Sequence, residues 1–159
     1  MMKNLRMSNP ILKDINQYFG VLYDNNFQIR DVNIKFLESR DWEVTFESPS
    51  CLIKIYSDQF EIFIVFAPTN HQMDNRLGIA SIIYYLSKGQ KFIGKFNGNY
   101  RNRKEQLEWL ATLLKEYITQ ITPFFEKGNF EKYHDELLVA QKEYYNLYVK
   151  KYVPGISCF

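Results

Sequence analysis

Between residues 27 and 67 the chain alternates apolar and polar side chains in four consecutive segments, 27–37, 42–48, 51–56 and 60–67, with very short connectors between them. Successive side chains of a strand point to opposite faces, so a period of two marks a half-buried strand. Connectors this short suit antiparallel neighbours, because parallel strands need a long crossover. Trp42, Val44 and Phe46 alternate with Glu43, Thr45 and Glu47, while Val32, Ile34 and Phe36 alternate with Asp31, Asn33 and Lys35. Cys51, Ile53 and Ile55 share one side of the third segment. The pattern predicts a four-stranded antiparallel meander. Its fourth segment departs from the rule: Phe60, Ile62, Ile64 and Phe66 face one way, yet Phe63 and Val65 lie on the other side with Glu61. Apolar residues on both faces imply burial on both sides, whereas the last strand of a meander is an exposed edge. The conflict calls for a covering helix or loop, a non-sequential strand order, or a partner. A second copy paired through residues 60–67 is one such partner.

Helical signals flank this region. Ser8-Asn9-Pro10 opens a helix, with proline suited to its first turn. Ile11, Leu12, Ile15, Tyr18 and Phe19 recur at helical spacing, Gly20 punctuates the end, and Val21-Leu22-Tyr23 leads towards the first strand. After a polar loop over 68–76, helices are expected at about 77–86, 104–121 and 130–150. The second carries a stripe of Leu107, Leu110, Leu114, Tyr117, Ile118 and Ile121, widened by Trp109 and Leu113, and Pro123 ends or kinks it. The third has a face of Tyr133, Leu137, Ala140, Tyr144, Leu147 and Tyr148, preceded by Gly128-Asn129. Between them the periodicity disappears, and Gly89, Gly94 and Gly98 mark a long irregular loop. Strands first and helices later argue an α+β fold with helices mainly on one sheet face. At 159 residues the chain is a single domain, 1–159, able to bury a real core, with 153–159 as a loose tail.

Composition narrows the functional classes. With 13 Phe and 12 Tyr there is ample apolar surface to offset chain entropy, which excludes disorder. The first residues lack the continuous apolar stretch of a signal peptide, and the longest apolar run, 62–67, is too short to span a bilayer. A soluble, cytoplasmic protein without membrane attachment is therefore expected. Cys51 sits on a strand as a small buried hydrophobe. Cys158 is next to last, out of place for a prenylation signal. The two form no spaced pair, so neither a disulfide framework nor a zinc site is indicated.

Catalytic constellations are hard to assemble from this sequence. His134 stands beside Asp135 and Glu136 and reads as a solvated helix residue. His71, in the loop after the fourth strand and near Asp74, is the candidate general base of a small enzyme, but no nucleophile elbow stands near it in sequence. No catalytic residue is assigned. No metal-ligand spacing or cofactor motif is present. Gly89-x4-Gly94-Lys95 has the glycine spacing of a phosphate loop, but Phe96 stands where the magnesium-binding hydroxyl belongs, and a helix, not a strand, precedes it.

Charge is uneven. Residues 68–104 carry seven basic groups against one acidic, net +6, whereas residues 1–67 (seven against nine) and 105–159 (six against eight) are each net −2. The cations of 87–104 are interleaved with Phe92, Phe96 and Tyr100. Cations and rings together suit an acidic protein surface or single-stranded nucleic acid, although an overall pI near 8.4 falls short of the usual nucleic-acid footprint. Lys91, Lys95, Phe96, Tyr100, Arg101 and Arg103 are the expected partner-binding residues. The tyrosines of the last helix exceed what one core stripe needs, and tyrosine is at home in interfaces.

The strand Trp42-Glu43-Val44-Thr45-Phe46, the strand Ile62-Phe63-Ile64-Val65-Phe66-Ala67-Pro68 and the helices that follow resemble small single-domain bacterial proteins, some of them similar to immunity proteins of polymorphic toxin systems. That resemblance implies a non-enzymatic protein that binds and occludes a cognate toxin. It rests on pattern alone, so it transfers no residue role.

Overall fold

The alternating segments pair as one antiparallel sheet in the order β1-β2-β3-β4-β5. The computed structural model describes residues 9–34, 41–70, 76–153 and 155. Its elements are α1 (Pro10–Tyr18), α2 (Gly20–Asp24), β1 (Gln28–Ile34), β2 (Trp42–Glu47), β3 (Cys51–Asp58), β4 (Glu61–Pro68), β5 (Leu77–Gly78), α3 (Ile79–Leu86), α4 (Arg103–Ile121), a 3-10 turn (Thr122–Phe125) and α5 (Asn129–Tyr152). Phe36, the turn residues before Asp41, His71 and most of the expected tail lie outside the described residues.

Register places the apolar residues in rows. Val32, Val44, Ile55 and Ile64 stand side by side across four strands, and Ile29, Phe46, Ile53, Phe66 and Leu77 form the next row. A bulge between Ile29 and Asp31 shifts the phase of β1. It lets Ile29 and Val32 join the same face despite their odd spacing. This face is the core. Ile11, Leu12, Ile15, Phe19 and Leu22 from α1 and α2 pack on it with the α4 stripe. Each fully buried side chain of this kind contributes about 1.5–3 kcal/mol. Asn9 starts α1 as predicted, its Oδ1 accepting from the amides of Ile11 at 2.9 Å and Leu12 at 3.3 Å.

The fourth strand resolves differently from a bare edge. Strand order is sequential, and β5, a two-residue strand that the pattern did not reveal, pairs Leu77 with Phe66 and Gly78 with Val65. Leu77 therefore belongs to the sheet and not to a helix. Gly78, with extended backbone (φ −70°, ψ 144°), is the cap from which α3 starts at Ile79. The rest of β4 lies against α3 and α4. On α5, Leu137, Ala140 and Tyr144 are buried as expected, but Leu147 is exposed and Val149 takes the inward position. Pro123 ends α4 through the 3-10 turn, as proline in that position should.

Candidate functional site

Three features meet at one end of β4: a strained hairpin turn, the basic loop and a cleft. Asp58 pairs with Glu61, so the β3–β4 connection is a two-residue turn of Gln59 and Phe60. Both have positive φ, 48° and 73°, as a type I′ hairpin requires. That geometry suits Asn-Gly; residues with a larger side chain carry a cost of about 1–2 kcal/mol each in the left-handed region. Phe60, assigned to the strand by its alternation, is thus a turn residue.

The surroundings hold this turn in place. Asp41 Oδ1 accepts the Gln59 amide at 3.0 Å. Gln106 of α4, 1% exposed, donates its Nε2 to the carbonyls of Phe60 and Tyr100, each at 2.7 Å, and its Oε1 accepts the Ile62 amide at 3.1 Å. One buried side-chain amide therefore satisfies strand edge, turn and loop together, where an unpaired backbone group would be costly. Phe60 stays 36% exposed, with the Arg101 guanidinium 5.6 Å from its ring centroid, within cation–π range.

The loop after α3 has no regular structure but is bound down along its length. Phe92 lies 5.1 Å from the Tyr144 ring and 6.4 Å from Tyr152; Phe96 lies 5.5 Å from Trp109 and 5.7 Å from Tyr100. The Tyr144 hydroxyl donates to the Ile93 carbonyl, and the Lys95 amide donates to the Tyr152 hydroxyl at 3.2 Å. Gly94 runs so close to Tyr152 that a Cβ there would collide with the hydroxyl.

The six expected partner-binding residues separate accordingly. Arg103 is structural: its Nε and one terminal nitrogen hold the buried Asp14 carboxylate at 2.9 and 2.8 Å. The Lys91 ammonium donates to the Tyr117 hydroxyl at 2.5 Å and sits 3.6 Å from Glu116; the hydroxyl bond, chiefly, raises its pKa. Phe96 and Tyr100 are half-buried packing residues. Lys95 and Arg101 remain exposed, Lys95 with its ammonium 5.4 Å from the Tyr152 ring.

Behind the loop, a half-open cleft of about 330 Å³ lies between the β4 edge, the start of α3, α4 and α5. Ile64 and Val65, Trp109 and Leu113, and Tyr145 and Tyr148 form its walls, with Phe96 at the loop side. Glu61 and Lys95 bring opposite charges to it. Burial raises the Glu61 pKa, with Lys95 opposing and Asp58 adding to the rise. Burial together with the Glu61 charge also raises Tyr100, and pushes Tyr148 up to about 12. The Tyr100 hydroxyl is buried and has no hydrogen-bond partner among the described residues.

Other reactive groups stand apart. Cys51 is buried as expected, and burial drives its thiol far above the ordinary range, which suppresses the reactive thiolate. His134 packs its ring on Phe130 at 4.9 Å and keeps only part of its surface in water. Among the described residues no group of three potential ligands could hold a metal, and no helix is long and apolar enough to cross a membrane. Sequence reasoning missed Phe60, Glu61 and Gln106 as site residues. The one available signal was that Gln59-Phe60 fills a turn made for Asn-Gly. No protein-family model, curated protein or solved structure matches this chain.

Proposed function

We propose that this chain is a non-enzymatic protein-binding module, an inhibitor of the immunity type that occludes an acidic partner with its β3–β4 hairpin and basic loop. The observation that carries this reading is Phe60. A bulky aromatic in left-handed backbone is a genuine outlier, and strain of this kind accumulates at functional sites. The strain here presents an aromatic ring and an arginine as one exposed pair, the residue types that dominate binding hot spots. Pinning of the loop adds support: Lys95 and Arg101 stand outward on a backbone already ordered, which lowers the entropy lost on binding. Their charge favours encounter with an acidic surface.

The test uses partner captured from a lysate of the native host. Gln59→Asn with Phe60→Gly should stabilise the isolated protein by about 1–2 kcal/mol, because it supplies the residues the turn wants. The same change should weaken partner binding at least tenfold. Lys95→Glu with Arg101→Glu should slow association, most at low salt. A hairpin variant that gains stability and keeps full affinity, together with an unaffected charge-reversal variant, would remove this surface from the proposal.

The nucleic-acid alternative finds less support. Stacking platforms offer open ring faces to bases, whereas Phe92 and Phe96 are already enclosed by Tyr144, Tyr152, Trp109 and Tyr100.

A further inference from the structure

We infer that the cleft beside β4 binds a small amphiphilic zwitterion, an α-amino acid with a large apolar side chain, its ammonium on Glu61 and its carboxylate on Lys95. The protein-binding reading shares Lys95 with this cleft, but Phe60 and Arg101, which carry that reading, do not line it, so the Glu61 arm of the test below separates the two.

Size sets the first limit. About 330 Å³ corresponds to roughly ten waters at about 30 Å³ each, the lower end of small-molecule sites. It has room for one compact molecule and not for a peptide. The walls set the second. Trp109, Phe96, Tyr148 and Leu113 are flat or branched apolar surfaces, and half-buried Trp109 and Leu113 are side chains that the core itself does not fully cover.

Charge sets the third limit. Glu61 and Lys95 both line the cleft, close enough for Lys95 to act on the Glu61 carboxyl, yet no ion pair joins them. Two opposite charges that line an apolar pocket without pairing reject simpler ligands. A plain hydrocarbon would desolvate Glu61 without compensation. An amine alone would meet Lys95, and an acid alone would meet Glu61. A molecule carrying both charges next to an apolar group satisfies all three surfaces, with charge-assisted hydrogen bonds as the strong contacts.

Calorimetry on the full chain with three probes decides the matter: L-phenylalanine, phenethylamine (which lacks the carboxylate) and 3-phenylpropionate (which lacks the ammonium). L-Phenylalanine should bind saturably and at least about tenfold more tightly than either truncated probe, in line with the worth of one charge-assisted hydrogen bond. Glu61→Gln should weaken L-phenylalanine about tenfold without weakening 3-phenylpropionate; Lys95→Met should weaken it similarly without weakening phenethylamine. Both changes are nearly isosteric, and matching thermal melts would verify that the fold is retained. The idea is overturned if L-phenylalanine shows no saturable binding at concentrations well above about 1 mM. It is equally overturned if either truncated probe matches L-phenylalanine, or if both variants bind like the parent.

Discussion

Arg101 and Arg103 are two residues apart in one basic segment, and their neighbours give them opposite roles. Arg103 opens α4 and reaches back across the molecule to Asp14 of α1, whose side chain is only 6% exposed. Arg101 lies against the ring of Phe60 and stays in water. Removing one member of a buried pair strands the other charge in a poor solvent, which matters more than the attraction lost. Arg103→Ala should therefore cost roughly 3 kcal/mol, the lower end for a buried pair, because Arg103 keeps 26% of its side chain exposed. Arg101→Ala, a surface change, should stay within about 0.5 kcal/mol. Urea unfolding of the two variants checks this, and equal midpoints would refute the assignment of Arg103 to structure. The distinction was illegible in the sequence because the Asp14 partner lies 89 positions away. Charge clustering shows where cations are, not what each one faces.

At the scale of elements, the loop between α3 and α4 is held by rings and by two glycines whose missing side chains let it sit down. A Cβ on Gly98 would come within 2.5 Å of the Phe96 ring and 2.6 Å of Glu105. Something would have to shift, and the ring is wedged against Trp109 and Tyr100. Gly98→Ala should thus lift the loop from α4 while leaving the sheet intact. Trypsin, which needs an extended and accessible backbone, should then cut after Lys91, Lys95 or Arg101 several times faster than in the parent. Unchanged cleavage, with circular dichroism also unchanged, would show that the loop is already loose. The elements themselves were largely readable. The period of two found β2, β3 and most of β4, and the stripe of α4 gave its buried face almost residue by residue. What escaped was non-local. β5 is two residues defined only by pairing with Val65 and Phe66, and no periodicity exists in two residues. Gln106 carries no local signal, because the carbonyls it serves come from a turn and a loop elsewhere in the chain. The turn at Gln59-Phe60 was displaced by one residue because Phe60 continues the alternation of β4 while its backbone has already left it.

Across the whole molecule the surplus of tyrosine becomes a stability property with a sign. Tyr56, Tyr85, Tyr100, Tyr144 and Tyr148 all have pKa values raised above the ordinary phenol range. In Tyr85 the chief cause is its hydrogen bond to Glu136, which pushes it up to about 12. In the other four it is burial, aided in Tyr100 and Tyr148 by the Glu61 charge. A phenol that ionises near 10 in the unfolded chain but later in the fold leaves the native state with more bound protons above that pH. Stability must then fall as pH rises, starting near 10 and continuing to about 12, where Tyr85 and Tyr148 ionise in the fold. Lys91, also raised by its bond to Tyr117, works in the same direction. Below about pH 9 these groups are protonated in both states and contribute no slope. The enclosed rings tie loop, α3, α4 and α5 together, so their ionisation should not proceed ring by ring. Tyrosinate absorbance followed against pH should show a steep rise well above pH 10 that coincides with loss of ellipticity. Tyr85→Phe should reduce the slope of stability against pH in that window, since it removes one of the most displaced groups. A smooth titration centred on the ordinary phenol value, complete before any ellipticity is lost, would mean that the rings are open to solvent and that the aromatic packing of the loop against the helices is wrong.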